Sequence, residues 1–149
     1  MVNVYVWSAH ITVASPGHAA LEVQSNKHSI YMSWYPVEFS LSKPAILFGG
    51  AVQSSPHISL QEDVRYSKSD PNHQTSVHGL NESAIIDFWR VWLQHNRYRL
   101  YNQSCATTVA DALRAGGGDT YAPQFSKRHL WWPDEVYKYA LAINYAQRA

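Results

Sequence analysis

Cys105, the only cysteine among 149 residues, begins a segment with helical periodicity. The apolar residues that follow it recur at the i, i+3, i+4, i+7 spacing of a buried helical face: Ala106, Val109, Ala110 and Leu113. A thiol in the first turn of a helix lies at the positive end of the helix dipole, which favours the reactive thiolate. A lone cysteine is most often a small buried hydrophobe. The position of Cys105 at the helix start, beside the apolar stripe, is what indicates a nucleophile.

A cysteine nucleophile needs a base within hydrogen-bonding reach, and the chain offers eight histidines. His18 is the preferred candidate because it lies on the polar face of a predicted strand and directly follows a glycine, which allows close backbone approach. His28 begins the partner strand, and His10 ends or interrupts the first strand. The remaining histidines fall in predicted loops or on helix surfaces, where we expect them to be solvated: His57, His73, His78, His95 and His129.

Other common chemistries lack their motifs. Short zinc-ligand spacings such as H-E-x-x-H or C-x-x-C do not occur, so we expect no metal. The nucleophile elbow, the Walker loop and the dinucleotide-binding glycine motif do not occur either. We therefore expect no cofactor.

Composition limits the partners. Twelve basic and eleven acidic side chains give a net charge of +1 without a basic stripe, so nucleic acid is not an expected partner. Six tryptophans and ten tyrosines suit a core or a binding cleft, and we expect a peptide or protein substrate. The oligomeric state stays open. No apolar run is long enough for a membrane span and no secretory signal is present, so we expect a protein soluble in the cytoplasm where it is made. Export into a host or neighbouring cell without a cleaved signal stays open.

The first half of the chain reads as strands. Residues 2–7 alternate in polarity, a pattern that could continue through Val13. The segments 18–24 and 27–35 form a predicted hairpin around a two-residue loop, Ser25-Asn26, which places His18 directly opposite Ser33. Residues 45–53 could form a strand interrupted by two glycines. Residues 54–76 are rich in Ser, Pro, Asn and His and read as a long surface excursion, more often an insertion than a substrate-binding loop.

The second half reads as helices. Asn81 is a predicted N-cap for a helix to about Asn96, a second helix runs from Cys105 to the glycines at 116–118, and a third begins at Pro133. The predicted buried positions of the first and third of these are Ile85, Phe88, Trp89, Trp92, Leu93, Val136, Tyr139, Ala140 and Ile143. The length fits one catalytic domain, residues 1–149. The predicted fold class is α+β, with an antiparallel sheet from the N-terminal half packed against helices from the C-terminal half.

The order of these segments resembles the circularly permuted papain-like superfamily, in which the histidine strand precedes the cysteine helix. The resemblance is carried by Gly17-His18-Ala19-Ala20-Leu21-Glu22-Val23 and by Asn102-Gln103-Ser104-Cys105-Ala106-Thr107-Thr108-Val109. Members include permuted relatives of NlpC-type cell-wall peptidases, lecithin retinol acyltransferase-like enzymes and a deubiquitinase and desumoylase group. The segments 31–36 and 131–140 are also similar to bacterial effector or toxin domains of this type.

The resemblance implies an acyl-transfer mechanism. Cys105 would attack an acyl carbon, His18 would act as base and then acid, and a thioester would form. The backbone N–H of Cys105 would stabilise the oxyanion. The family places its third residue on the strand after the histidine strand, and the predicted register selects Ser33 over Tyr31. A serine departs from the usual His, Asn, Asp or Glu.

Two further sets of residues complete the predicted site. Glu22 shares the face of His18 but lies about 13 Å along the strand, so we interpret it as a solvated or structural carboxylate. Substrate contacts are expected from Tyr31, Trp34 and Gln103.

The leading hypothesis is a cysteine-dependent amide hydrolase or acyltransferase, a peptidase, amidase or deamidase of an exported bacterial effector. Peptidoglycan peptides, protein side-chain amides and isopeptides are all open as substrates. The alternative is a catalytically inactive binding module on the same fold, which the serine at position 33 favours. A carbohydrate-binding module fits the aromatic content but not the helical second half.

Overall fold

The computed structural model describes residues 1–9, 17–26, 29–35, 50–51, 54, 56–98 and 104–149. Within these ranges the chain is α+β, as predicted, with an antiparallel sheet in the order β3-β2-β1-β4. The strands are β1 (Val2–Trp7), β2 (His18–Gln24), β3 (Ser29–Ser33) and β4 (His73–Val77). The proposed continuation of β1 through Val13 and most of the proposed strand at 45–53 lie outside the described residues.

The helices begin where their capping signals predict. Asn81 accepts a hydrogen bond from the backbone N–H of Ala84 at 3.0 Å, and Ser104 caps the cysteine helix in the same way through Thr107. The third predicted helix has its proline at the first position. The helices are α1 (Leu60–Ser67), α2 (Glu82–His95), α3 (Cys105–Ala115), the short α4 (Gly118–Tyr121) and α5 (Pro133–Arg148), with a 3₁₀ turn at Pro123–Phe125.

Strand alternation divides the protein into two apolar layers. On one face of the sheet, Val4, Val6 and Leu21 are fully buried in a core shared with α2, α3 and α5. On the opposite face a smaller cluster of Tyr5, Trp7, Ala20 and Tyr31 packs against Leu60 and Val64 of α1. Because side chains of a strand point alternately to the two faces, one strand can serve both layers. The sheet is therefore covered on both sides, by α3 and α5 on one and by α1 on the other.

The hairpin register differs from the prediction. Pairing begins at Gln24 and Ser29, so four residues rather than two separate β2 from β3, and Ser33 lies opposite Ala20 rather than His18. The observed register sets Leu21 opposite Met32 and Val23 opposite Ile30, whereas the predicted register would have set Leu21 opposite Ile30; both registers join apolar side chains. A shift of two residues keeps every side chain on its predicted face. His18 and Ser33 therefore still share a face.

The interpretation of residues 54–76 as a surface excursion was wrong. This segment contains α1 and β4, and β4 pairs along β1 as an edge of the sheet. Ser59 caps α1 by accepting a hydrogen bond from the backbone N–H of Glu62 at 3.2 Å. Polar residues therefore dominate this segment because they cap a helix and form a sheet edge.

The predicted buried stripe of α2 is correct except at its end. Ile85, Trp89 and Trp92 are buried and Phe88 packs against the core, but Leu93 is 40% exposed. At 100° per residue, Leu93 lies on the flank of the stripe defined by Ile85 and Trp89. It therefore faces solvent.

Candidate functional site

His18 is the first residue of β2, and its imidazole is held in place by aromatic rings on both sides. The ring stacks on Tyr35 at a centroid distance of 4.0 Å and lies 5.3 Å from Trp7. Gly17 precedes it with a φ of +77°, a conformation that glycine adopts without strain. The side chain is 2% exposed. The strand end therefore presents an imidazole whose orientation is fixed by packing.

Hydrogen bonds determine which nitrogen of His18 is available. Nε2 lies 3.1 Å from Oδ2 of Asp63 and 3.0 Å from Oγ of Ser33. The Ser33 hydroxyl donates to Oδ1 of Asp63 at 2.9 Å, so its oxygen is free to accept from Nε2. The neutral imidazole consequently carries its proton on Nε2. Nδ1 is buried and has no hydrogen bond of ordinary geometry to the described residues, which leaves a lone pair available for a thiol.

Asp63 is a fully buried carboxylate that four donors satisfy. Its Oδ1 accepts from Ser33 and from Nδ1 of His57 at 2.6 Å, and its Oδ2 accepts from His18 and from the Tyr31 hydroxyl. Burial alone would raise the pKa of this carboxyl, but hydrogen bonds and the charge of His18 outweigh it and lower the pKa below the usual value. Asp63 is thus a stable negative charge beside the histidine.

Cys105 approaches His18 from the other layer of the protein. It is the first residue of α3, and its side chain is nearly buried. Burial opposes a charge on His18, but the negative charge of Cys105 and the hydrogen bond and charge of Asp63 together raise the pKa of His18 to about 9. Since Asp63 and Ser33 occupy Nε2, Nδ1 is the nitrogen that is left for Cys105.

Tyr98 is a third polar group beside the thiol, and the sequence analysis did not select it. It lines the same crevice as Cys105. Burial and the negative charge of Cys105 raise its pKa well above the usual value. Tyr98 is therefore a permanently protonated donor next to the sulfur.

The thiol borders a small crevice of about 10 Å³, which has room for about one water molecule. Tyr98 and Gly17 border it together with the aromatic pair Trp131 and Trp132, of which Trp132 is 40% exposed. The lining is mostly apolar apart from Ser104 and the Tyr98 hydroxyl. A substrate would therefore meet the thiol at the aromatic rim of this crevice.

Of the other predicted site residues, two hydrogen-bond with Asp63, one lies in the core and one lies outside the described residues. Ser33 contacts His18 as expected, although through the shifted register. Tyr31 donates to Asp63, so it supports the carboxylate rather than bordering the crevice. Trp34 was predicted to contact substrate, but it is fully buried and packs edge-on against Trp89 and Trp92 in the core. Gln103 lies outside the described residues.

Glu22 is bound to its neighbours in the sheet. Its Oε1 accepts from the Tyr5 hydroxyl at 3.1 Å and from the side-chain amide of Gln24 at 2.8 Å. Cross-strand neighbours Asn3 and Tyr31 lie opposite it, and no hydrogen bond joins it to His18 among the described residues. A structural carboxylate is the interpretation that this geometry favours.

Asp63 and His57 both lie in residues 54–76, the segment that the sequence predicted to be a surface excursion. Asp63 lies in α1, and His57, expected to be solvated, hydrogen-bonds with it. A signal was present: Ser59 and Glu62 have the spacing of a capping box, which predicts a helix beginning at Leu60. On that helix Asp63 shares a face with Leu60 and Val64, so an acidic residue falls on an apolar face. This placement is itself typical of a functional carboxylate.

In the ranges that the structure describes, no group of three or more His, Cys, Asp or Glu side chains is arranged to hold a metal ion. No helix in the same ranges combines the length and apolarity that crossing a membrane requires.

Comparisons with known proteins point to bacterial toxins. The chain is 38% identical over 95 residues to the multifunctional-autoprocessing repeats-in-toxin of Vibrio cholerae, a match that covers 58% of the chain and 2% of the toxin. The protein of the same name from Vibrio vulnificus is 38% identical over 56 residues, or 34% of the chain and 1% of the toxin. The chain thus corresponds to a very small part of these relatives. No solved structure matches it.

A family model locates the similarity within the fold. Residues 52–149, about two thirds of the chain, match the family described as the IcsB middle domain. The matched region includes Asp63, Tyr98 and Cys105, whereas His18 precedes it. Because this match covers more than half of the chain, the chain belongs to the IcsB middle domain family.

Proposed function

We propose that this chain is a cysteine-dependent acyl-transfer domain, an amide hydrolase or acyltransferase in which Cys105, His18 and Asp63 are the catalytic triad. The observation that carries the proposal is the hydrogen bond between Nε2 of His18 and Asp63 at 3.1 Å. It fixes the tautomer that leaves Nδ1 as a base on the side of Cys105. Asp63 takes the place that Ser33 held in the sequence hypothesis, and Ser33 becomes a supporting hydrogen bond.

The first step transfers a proton from the Cys105 thiol to Nδ1 of His18. The resulting imidazolium is stabilised by Asp63, in keeping with the raised pKa of His18, about 9. The thiolate then attacks the acyl carbon, a C–S bond forms, and the carbonyl electrons move to oxygen. The Cys105 backbone N–H at the helix start and the Tyr98 hydroxyl lie beside the sulfur, where they can donate to that oxyanion.

Collapse of this intermediate expels the leaving amine, which takes the proton from Nδ1 of His18. The product is a thioester on Cys105 and a neutral imidazole. Water or an amine acceptor then loses a proton to Nδ1 and attacks the thioester, and the returning proton regenerates the thiol. The choice between water and an amine decides between hydrolase and acyltransferase.

The permuted papain-like architecture is part of this proposal. In its support, His18 stands on a strand before the cysteine helix in the chain, and Asp63 lies between them in sequence. The toxin relatives support action in a host or neighbouring cell that the domain reaches by secretion. The partly exposed Trp132 at the rim of the crevice supports an apolar contact with substrate beside the thiol.

The main argument for an inactive binding module no longer holds. It was favoured because Ser33 cannot replace a carboxylate, and Asp63 now supplies one with full hydrogen bonding. A buried carboxylate paired with a buried histidine is costly to maintain unless both are satisfied. Catalysis accounts for this arrangement better than binding alone.

The test is the reactivity of the single thiol. Cys105 should react with iodoacetamide at pH 6 at least about tenfold faster than free cysteine, because the thiolate is the reactive form. With p-nitrophenyl acetate it should form an acetyl-enzyme that intact-mass measurement detects. His18→Ala should abolish both effects, and Cys105→Ser serves as the unreactive control.

The outcomes separate the hypotheses. A wild-type thiol that reacts no faster than free cysteine, with no acetyl adduct, overturns the proposal. If the toxic or effector phenotype survives Cys105→Ser in full, the binding module is the correct function.

A further inference from the structure

His57 is a second histidine on the same carboxylate. Its Nδ1 lies 2.6 Å from Oδ1 of Asp63, a shorter contact than the 3.1 Å between His18 and Oδ2. The two imidazoles therefore hold the two oxygens of one buried carboxylate from different sides.

The position of His57 is fixed by more than this hydrogen bond. Its backbone N–H donates to the carbonyl of Ser33 at 3.2 Å, which attaches it to the end of β3. Its ring lies 4.4 Å from the Tyr35 ring and 5.1 Å from the Tyr66 ring. Since Tyr35 also stacks on His18, one tyrosine lies against both histidines. This is a built arrangement and not a chance surface contact.

His57 is the member of the cluster nearest to solvent. Its side chain is 11% exposed, whereas Asp63 is 0% and His18 is 3% exposed. Oδ1 of Asp63 already accepts a hydrogen bond from Ser33, so His57 is not needed to supply its first donor. The second donor adds directional control over the carboxylate.

We propose that His57 is a positioning residue that orients Asp63 and tunes its charge toward His18, so that the functional unit is a Cys–His–Asp–His tetrad. This inference rests on the proposed acyl-transfer function. His57 acts only through Asp63 and does not touch the thiol or the crevice. By holding Oδ1, it turns Oδ2 toward Nε2 of His18 and keeps the carboxylate ionised.

The proposal predicts a change in the pH dependence of the thiol rather than a simple loss of stability. Without His57, Oδ1 loses one of its two donors, the carboxylate supports the imidazolium less well, and the thiolate–imidazolium pair needs a higher pH to form. The acid limb of Cys105 alkylation should move up by about one pH unit in His57→Ala, the size expected for loss of one hydrogen bond to a charged group.

Conservative variants distinguish positioning from packing. The amide nitrogen of Asn is attached to Cγ like Nδ1 of His, so His57→Asn should keep the donor and the wild-type profile. His57→Gln moves the nitrogen one carbon further and should behave like His57→Ala. His73→Ala is the matched control, because His73 stacks on Tyr137 away from the cluster.

The experiment measures iodoacetamide alkylation of the full chain from pH 4 to 10, together with thermal unfolding of each variant. The tetrad is supported if the acid limb of alkylation shifts in His57→Ala and His57→Gln. His57→Asn and His73→Ala should keep the wild-type profile. If Gln and Asn both match wild type, His57 is not a positioning residue, even where the alanine variant does not fold. A wild-type thiol without activation at any pH instead overturns the acyl-transfer function itself.

Discussion

Nε2 of His18 and Oδ2 of Asp63 are 3.1 Å apart although 45 residues separate them in sequence. The histidine begins a strand and the carboxylate lies on a helix across one face of the sheet. Cys105 reaches the same imidazole from a helix in the other apolar layer. The site is therefore assembled at one end of the sheet, where groups from both layers meet.

Replacing Asp63 by Asn should lower kcat for acyl transfer about 10²–10⁴-fold, because the imidazolium loses its counter-charge and its tautomer is no longer fixed. The measurement is single-turnover release of p-nitrophenol from p-nitrophenyl acetate. Glu22→Gln is the matched control, since Glu22 lies on the same strand as His18 but bonds to Tyr5 and Gln24. An equal loss in both variants would contradict the role of Asp63.

The raised pKa of His18 predicts an alkaline limit to activity. The imidazolium must protonate the leaving amine, so kcat should fall as pH rises through about 9, where His18 loses its proton. The pH–rate profile of amide turnover measures this limit. A limb near 6.5, the ordinary value for histidine, would contradict the interaction with Cys105 and Asp63.

The raised pKa of His18 also makes the stability of the fold depend on pH. The pKa of His18 is higher in the folded chain than in the unfolded chain, so its contribution to the free energy of unfolding is complete below pH 6.5 and is lost as pH rises through about 9. From 1.36 kcal/mol per pKa unit, the loss is at most about 3 kcal/mol. Urea unfolding at pH 6 and pH 10 should reveal it in the wild type and not in His18→Gln.

Removal of the Tyr98 hydroxyl should slow acyl transfer more than it slows alkylation of the Cys105 thiol. Tyr98→Phe should lower kcat about 10²–10³-fold through loss of an oxyanion donor. Iodoacetamide alkylation forms no oxyanion, so it should fall much less than turnover, although Tyr98 also interacts with the sulfur. Tyr145→Phe, at a tyrosine 67% exposed, controls for the substitution. A parallel loss of alkylation and turnover in Tyr98→Phe would assign the tyrosine to thiol positioning instead.

Gly17 should be essential for the placement of His18. A Cβ at this residue would lie 2.5 Å from the carbonyl oxygen of Trp7 and 2.8 Å from the backbone nitrogen of Ala9, so backbone must move. Gly117→Ala is the matched control, because Gly117 also has a positive φ, +93°, but open space around the added carbon. Gly117→Ala should lower the free energy of unfolding by about 1–2 kcal/mol. Gly17→Ala should cost clearly more and also slow Cys105 alkylation, and equal effects would contradict this account.

The elements with strong local signals were predictable from the sequence. The predicted N-cap of α2, the proline at the start of α5 and the apolar periodicity of α3 gave their starts within one residue, since these signals are local properties. The faces of β2 and β3 were also correct, because period-two alternation survives a register shift of two. The register itself was not predictable, because it depends on which apolar side chains meet across the strands.

Among the functional residues, the sequence by itself determined the candidate nucleophile and base. Cys105 is the only thiol and stands at a helix start, and His18 follows a glycine at a strand start. Only the tertiary structure decided that Asp63, His57 and Tyr98 join them, and that Trp34 belongs to the core. The physical reason is that a carboxylate becomes a partner of a histidine through distance and burial, and those follow from packing α1 on the sheet rather than from spacing along the chain.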